Sequence, residues 1–284
     1  DYGLNYKYGG WHLTRTIAFA SLHGKTQLYV SVGSSCNACT EKEAIRASLS
    51  VMDPDGKNQR IVAGGLRNAV GLRYFPRLEG GSLFATNMGA DHLGPHAPED
   101  TFFELDSNQH PSAITSQPGL KILLNGAAAS DDQAPANYGW PTCYFENGLP
   151  HSDPAVSAPK PTDHIFPPPP AGPPPRQFDC SKIPAAYTTF APHSSPLGLE
   201  YFDLDDSNLN GTFLVALHGA GHPSIGTGYR VVQFSNSDRK PKDFITGFLD
   251  QGKVKGRPCD ILRIGRDTFL LTDDLDGVIY LIHP

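Results

Sequence analysis

Gly198-Leu-Glu-Tyr-Phe202, Gly211-Thr-Phe-Leu-Val-Ala216 and Tyr229-Arg-Val-Val-Gln-Phe234 follow one another as three short apolar runs parted by turn residues. The order recurs upstream as Gly71-Leu-Arg-Tyr-Phe75, Ser82-Leu-Phe-Ala-Thr86 and Thr101-Phe-Phe-Glu-Leu105. It recurs downstream as Asp260-Ile-Leu-Arg-Ile264, Thr268-Phe-Leu-Leu-Thr272 and Gly277-Val-Ile-Tyr-Leu-Ile282. A further copy runs from Thr16-Ile-Ala-Phe19 through Gln27-Leu-Tyr-Val-Ser-Val32 to a third run over Ile45–Met52. Each run has strand length, is rich in β-branched and aromatic residues, and is bounded by turn formers. Gly24-Lys25, Gly80-Gly81, Asn210-Gly211 and Arg266-Asp267 supply those turns.

Three copies are followed by a fourth run: Arg60–Ala63, Leu120–Leu124 and Phe244–Phe248. Four antiparallel strands per repeat are the unit of a β-propeller blade. A sandwich of unrelated hairpins does not account for the repetition. The chain therefore reads as all-β, with about four blades recognisable in one domain spanning 1–284. Its 29 glycines and 26 prolines, near a fifth of 284 residues, fit many short strands joined by turns. Residues 133–196 depart from the pattern. They carry few strand signals and hold Ala158–Pro161, Phe166–Pro170 and Gly172–Pro175, which read as an extended, Pro-rich surface insertion over about 150–180.

Composition narrows the function classes. The formal charge of -6 and the lack of Lys/Arg clusters argue against nucleic acid. No apolar stretch approaches the ~20 residues that cross a bilayer. The sequence opens at Asp1 with no signal peptide in view, which reads as a peptide already removed or as a sequence that starts inside the gene product. Five cysteines are present. Cys36 and Cys39 form a C-x-x-C without the second pair that a zinc site would need, and read as a local disulfide. Cys143 and Cys180 flank the Pro-rich excursion, where a disulfide would close a long loop. Two disulfides and a leftover thiol, Cys259, imply an oxidising, extracellular compartment.

Three clusters could carry chemistry on loops at one end of a propeller channel. Gly9-Gly-Trp-His12 precedes the first strand and offers an imidazole, whose ordinary pKa near ~6.5 suits a general base. Gly65-Leu-Arg-Asn-Ala-Val-Gly-Leu72 places Arg67 and Asn68 between two blades. Arg67 offers a fork for carboxylates or a developing oxyanion, and Asn68 a donor and an acceptor. Asn87–Gly94 and Pro98–Asp100 form a glycine-rich loop whose carbonyls suit calcium. Each also has a plain structural reading, as an exposed histidine, a turn, or an acidic loop.

Taken in order, Trp11–Arg15, Leu28–Gly33, Gly65–Leu72, Asn87–Asp100, Asn137-Tyr-Gly-Trp-Pro141, Ala191–Ser194, His218-Gly219, Gly228-Tyr229 and Gly256-Arg-Pro-Cys-Asp260 resemble the soluble sugar dehydrogenases that use pyrroloquinoline quinone (PQQ). The likeness is nearest to the fungal-type PQQ-dependent pyranose dehydrogenases. It implies a six-bladed β-propeller of the soluble quinoprotein glucose dehydrogenase type, with PQQ and calcium at the channel mouth. His12 matches the general base and Arg67 the arginine over the quinone. Asn68, Thr189, His218 and Arg257 match positions that hold PQQ, and Gly89 and Ala90 match the carbonyl pair that holds calcium. The activity implied is oxidation of a pyranose or keto-sugar by hydride transfer to PQQ. Electrons would then pass to an external acceptor such as a cytochrome domain or a copper oxidoreductase.

The sequence departs from that pattern in three places. Only eleven residues precede His12, which points to N-terminal blades missing from this sequence. Leu217–Pro223 offers no lysine where the glucose enzymes have one, and His218 stands in its place. An Arg-x-Arg pair is reduced to Arg257-Pro-Cys259. Two other functions fit a propeller: a calcium-dependent lactonase or other hydrolase, drawing on Asp91, Glu99, Asp100 and Asp260, and a noncatalytic ligand-binding module.

Overall fold

The structure is a computed structural model that describes residues 11–22, 25–78, 81–105, 135–154, 156 and 179–284. The expected strand Leu120–Leu124, the three proline clusters, and the turn residues Gly24 and Gly80 lie outside those residues. Among the described residues there is no α-helix, only short 3-10 turns at Cys180–Lys182 and Pro223–Ile225. In chain order the strands are β1 (Arg15–Leu22), β2 (Lys25–Val32), β3 (Ser48–Met52), β4 (Arg60–Gly64), β5 (Ala69–Phe75), β6 (Ser82–Asn87) and β7 (Asp100–Glu104). They continue with β8 (Ala136–Asn137), β9 (Cys143–Glu146), β10 (Leu149–Ser152), β11 (Thr188–Phe190), β12 (Pro196–Phe202), β13 (Thr212–Leu217), β14 (Arg230–Ser235) and β15 (Lys242–Ile245). The last are β16 (Leu249–Asp250), β17 (Lys253–Val254), β18 (Pro258–Arg263), β19 (Phe269–Asp273) and β20 (Val278–Ile282).

The chain gathers into two compact units, 1–69 with 106–185 and 70–105 with 186–284. In the first, β1 to β4 form an antiparallel sheet in sequence order, and β8 adds a parallel fifth strand beside β4. All five residues of β3 are buried. The expected run from Ile45 is shorter than read. Ala47 takes φ 52°, so residues 45–47 turn and the strand starts at Ser48. The hairpin of β9 and β10 turns on Asn147 (φ 53°) and Gly148 (φ 74°), the paired left-handed residues of a type I′ turn.

The second unit holds four sheets among the described residues, one of them the short pair of β16 and β17. β12 to β15 run antiparallel in sequence order, the blade pattern expected from the repeat. β15 ends at Ile245 rather than Phe248. Gly247 turns the chain at φ 104°, and Phe248 drops into the core. β5 to β7 form another sheet, whose fourth strand is β11, paired antiparallel with β7. That strand comes from the stretch read as poor in strands. β18 to β20 form a three-stranded sheet.

β13 shows why the repeat is so apolar. Phe213, Val215 and Leu217 enter one core cluster with Phe75, Phe84, Phe102 and Phe234. Leu214 and Ala216, on the opposite face, enter another with Phe202, Ile261, Phe269 and Leu271. Side chains alternate along a strand, so a strand buried on both faces reads as a continuous apolar run. Phe213 touches Phe84, Phe102, Tyr201 and Phe234 with ring centroids 4.6 to 5.3 Å apart. Tilted and offset ring pairs of this kind each add about 0.5–1.5 kcal/mol beyond area burial.

Candidate functional site

In the first unit, His12 precedes β1 with a left-handed backbone, φ 48°. Its Nδ1 lies 3.1 Å from the carbonyl oxygen of Ser34 and 2.9 Å from the Ser34 hydroxyl. The Ser34 hydroxyl donates its one hydrogen to the Cys36 carbonyl at 2.6 Å. Both Ser34 oxygens therefore accept from Nδ1, which fixes the tautomer. Nδ1 carries the proton and Nε2 is the basic nitrogen. Trp11 stands edge-on to the ring, with centroids 6.0 Å apart.

Arg67 and Asn68 join His12 through the end of β2. A Cβ on Gly33 would stand 2.5 Å from the His12 Cβ and 2.7 Å from the Asn68 Oδ1. Only glycine lets these two residues close on the strand end. The next residue ties in the third: the Ser34 amide donates to the Arg67 carbonyl at 2.7 Å. Arg67 itself is buried. Its Nε donates to the Asn37 carbonyl at 2.9 Å and one terminal nitrogen donates to the Asn37 Oδ1 at 2.8 Å. The Trp140 indole, from the Asn-Tyr-Gly-Trp-Pro segment, donates to that same Asn37 carbonyl at 3.0 Å.

Asn37 sits in the small ring closed by Cys36 and Cys39, whose sulfurs are bonded. A metal on that C-x-x-C is thereby ruled out. Glu41, just beyond, accepts from the Ser35 amide and hydroxyl at 2.6 and 2.7 Å. Burial pushes its carboxyl above the usual carboxylate range, more than those hydrogen bonds draw it down. The expected pair Cys143–Cys180 is also bonded, and Cys259 is free.

In the second unit, Gly89 and Ala90 follow β6. Buried Asp100 braces this loop: its Oδ1 accepts from the Gly89 amide at 2.7 Å and its Oδ2 from the Ser195 amide at 2.8 Å. A Cβ on Gly89 would stand 2.7 Å from Pro98. Thr189 is the middle residue of β11. It pairs with Thr101, which pairs with Asn87, so the three form a polar row across one face and lead into the Gly89 loop. The Asn87 amide donates to the Thr101 hydroxyl at 3.2 Å. His193 closes on the same loop, with its Nε2 2.8 Å from the Gly94 carbonyl.

His218 and Arg257 meet in this unit. One terminal nitrogen of Arg257 lies 3.3 Å from the His218 Nδ1 and 3.2 Å from the Gly219 carbonyl. The other lies 3.2 Å from the Ala220 carbonyl. The guanidinium also lies 5.0 Å from the Tyr229 ring centroid. Among the described residues Arg257 forms no salt bridge. Arginine donates only, so the His218 Nδ1 accepts and its Nε2 donates to Asp274, 3.0 and 3.1 Å from the two carboxylate oxygens. Thr189 shares no hydrogen bond with His218 or Arg257 among the described residues.

Two carboxylates that a hydrolase would draw on are committed elsewhere. Asp100 spends both oxygens on backbone amides. Asp260 accepts from its neighbour's amide and lies 3.6 Å from Arg73. Reading the sequence missed Ser34 and Asn37, which orient His12 and Arg67. The location of Asn37 inside the C-x-x-C was the available signal. Asp274 carried none, since a lone aspartate after a strand is commonplace.

A family model described as TrAA12-like matches residues 3–247. A curated relative, an uncharacterised protein of Borreliella burgdorferi, is 26% identical over 283 residues, covering 96% of this chain and 60% of its own length. The chain thus spans about three fifths of that relative. Among solved structures, an AA12-family carbohydrate-active enzyme of Trichoderma reesei superposes with a TM-score of 0.64 at 17% identity, over 96% of this chain and 68% of that one. The PQQ domain of a pyranose dehydrogenase from Coprinopsis cinerea, in its holo form, gives 0.62 at 18% identity, over 97% and 71%. The shared feature is the fold, an all-β architecture of propeller blades.

Proposed function

The chain belongs to the TrAA12-like family, and from that premise we propose that it is a secreted oxidoreductase that oxidises a pyranose or keto-sugar with PQQ and calcium. The observation that carries the reading is the tautomer of His12. A dehydrogenase needs a base for the sugar hydroxyl proton, and Ser34 leaves the lone pair on Nε2. A base placed within hydrogen-bond reach of its proton typically contributes about 10²–10⁴-fold.

The residues fit the chemistry of the cofactor. PQQ carries three carboxylates, so its site needs cations and donors. Arg257 is a cation without a salt bridge among the described residues. Arg67 supplies a further positive charge, held in one orientation by both oxygens of Asn37. Asn68, Thr189 and His218 add polar groups. For calcium the Gly89 and Ala90 carbonyls are hard oxygen donors, on a loop that Asp100 braces. When bound, PQQ supplies a two-electron acceptor for hydride from the sugar carbon, with calcium polarising its reactive carbonyl.

The work left to the protein follows from the geometry. His12 Nε2 takes the hydroxyl proton, and Ser34 stabilises the resulting imidazolium through the Nδ1 hydrogen. Arg67 presents fixed positive charge where negative charge develops, without reorganising, because Asn37 has already oriented it. Electrons leave to an external acceptor such as a cytochrome domain or a copper oxidoreductase. The two disulfides fit an extracellular setting. Among the described residues no helix is long and apolar enough to cross a membrane.

The test is reconstitution. Purified protein is given PQQ and calcium, and reduction of an artificial acceptor is followed over glucose, fucose and glucosone. Sugar-dependent reduction that needs both additions is expected, and His12→Ala should abolish it. Undiminished reduction by that variant would falsify the assignment of the base.

A further inference from the structure

Cys259 is the free thiol, and its surroundings are those of a ligand set. It lies in β18, His218 follows β13, and Asp274 follows β19. The sulfur, an imidazole nitrogen and a carboxylate oxygen of these three all lie within 4.8 Å of one another. His218 and Cys259 are half-buried, and Asp274 is exposed. We infer that His218, Cys259 and Asp274 bind a divalent ion of the zinc class through three protein ligands, leaving a fourth position for an exchangeable one.

The donor types select the ion. Calcium and magnesium take oxygen, whereas a thiolate and an imidazole together suit zinc and its neighbours. Three protein ligands and one open position are the arrangement of exchangeable zinc sites rather than of closed structural ones. The ion is thereby distinct in chemistry from the calcium assigned to the Gly89 and Ala90 carbonyls. Distances favour little rearrangement. Ligand bonds of about 2.0–2.3 Å in a tetrahedron put ligand atoms somewhat over 3 Å apart, and the His218 Nε2 already stands 3.0 Å from Asp274.

Proton movements balance. In the ion-free protein Cys259 is a thiol, donating to the Arg257 carbonyl at 3.5 Å. Burial first, and then Asp274, push it up to about 12. A bound ion inverts that preference, because the coordinated sulfur is deprotonated. Binding through Nε2 shifts the His218 proton to Nδ1, within the same ring. The net release is a single proton per ion, from the thiol. Nδ1 then stops accepting from Arg257, which keeps the carbonyls of Gly219 and Ala220 as partners. With a thiolate and a carboxylate bound, a divalent ion carries no net charge, so Arg257 supplies the positive charge beside it.

Cobalt(II) is the probe. Cys36, Cys39, Cys143 and Cys180 are held in disulfides. A thiolate-to-cobalt charge-transfer band in the oxidised protein therefore reports Cys259. The full chain, stripped with chelator and held in excess calcium, is titrated with cobalt. The expected result is that band, saturating at one ion per chain, released by zinc and accompanied by proton release in weak buffer. Cys259→Ser should remove the band. Asp274→Asn should weaken binding by more than the roughly 10–100-fold typical of an outer-shell partner. Should the serine variant not fold, alkylating Cys259 in the folded protein replaces it, with the same loss expected. No band at millimolar cobalt with a full titre of free thiol overturns the proposal, as does a band that survives alkylation. The cobalt band is read without PQQ or sugar, so either outcome is distinguishable from a failure of the sugar-oxidation reading, with which this site shares His218.

Discussion

The Nδ1 of His12 lies 3.1 Å from the carbonyl oxygen of Ser34, while the Ser34 amide donates to the carbonyl of Arg67 at 2.7 Å. One residue's backbone thus sets both the proposed base and the proposed cation. Ser34→Ala removes the hydroxyl but keeps the carbonyl, so the tautomer persists. The expected outcome is a fall in kcat well short of the roughly 10²–10⁴-fold loss for His12→Ala. Steady-state dye reduction by the two variants side by side distinguishes them, and equal losses would contradict the assignment of the carbonyl.

Gly33→Ala should be far worse than its single carbon suggests. The new Cβ would meet His12 at 2.5 Å and Asn68 at 2.7 Å, so one of them must move. Activity of the reconstituted protein is expected to collapse. The melting temperature should fall by only a few degrees, since overpacking at one strand end costs about 1–3 kcal/mol. An active Gly33→Ala protein would mean that His12 and Asn68 need not close on this strand.

Asn37 tests positioning rather than contact. Asn37→Ala deletes the acceptor at 2.8 Å from Arg67 but leaves the backbone acceptor in place. Loss of a charged hydrogen bond of this kind costs about 1.5–3 kcal/mol. Weaker PQQ affinity, read by fluorescence titration, should accompany lower kcat. An intact affinity with lower stability alone would leave Asn37 a merely structural residue.

Glu41 predicts a pH dependence. Its folded carboxyl is raised by burial above the ordinary range. The stability it contributes is therefore present at pH below the unfolded value and is lost as pH rises through the folded one. Thermal melting should fall as pH climbs from the ordinary carboxylate range towards neutrality. Glu41→Gln keeps one oxygen acceptor for the Ser35 amide and removes the charge, so its melting profile should be flatter. A steeper profile in the variant would reverse the sign.

Phe213 tests the packing. It is fully buried among six rings, on the face of β13 that also carries Val215 and Leu217. Phe213→Ala should destabilise by about 3–5 kcal/mol, measured by urea unfolding. A change below about 1 kcal/mol would mean that the cluster is loosely packed.

Much of the fold was legible because its signals are local. Alternation along a strand, β-branched and aromatic runs, and turn residues such as Asn210-Gly211 act over a few positions, and they marked β12, β13 and β14 to within two residues. Errors fell where a backbone angle ended an element, at Ala47 and at Gly247. The fourth strand beside β7 was not legible. Thr188–Phe190 is three residues long and pairs across a gap of more than eighty positions, so no local period announces it.

The candidate site divides the same way. The sequence alone determined the residue types and their order: a histidine before the first strand, an arginine and an asparagine between blades, a glycine-rich loop, and cysteines whose pairing fits their spacing. Tertiary structure decided what those groups do. Ser34 and Asn37 each act through a backbone carbonyl together with a side-chain oxygen, and composition alone does not say which serines and asparagines stand so. The Cys259, His218 and Asp274 cluster draws on three elements separated by up to 56 positions. Folding puts those side chains in reach of one another, because β13, β18 and β19 pack within one unit.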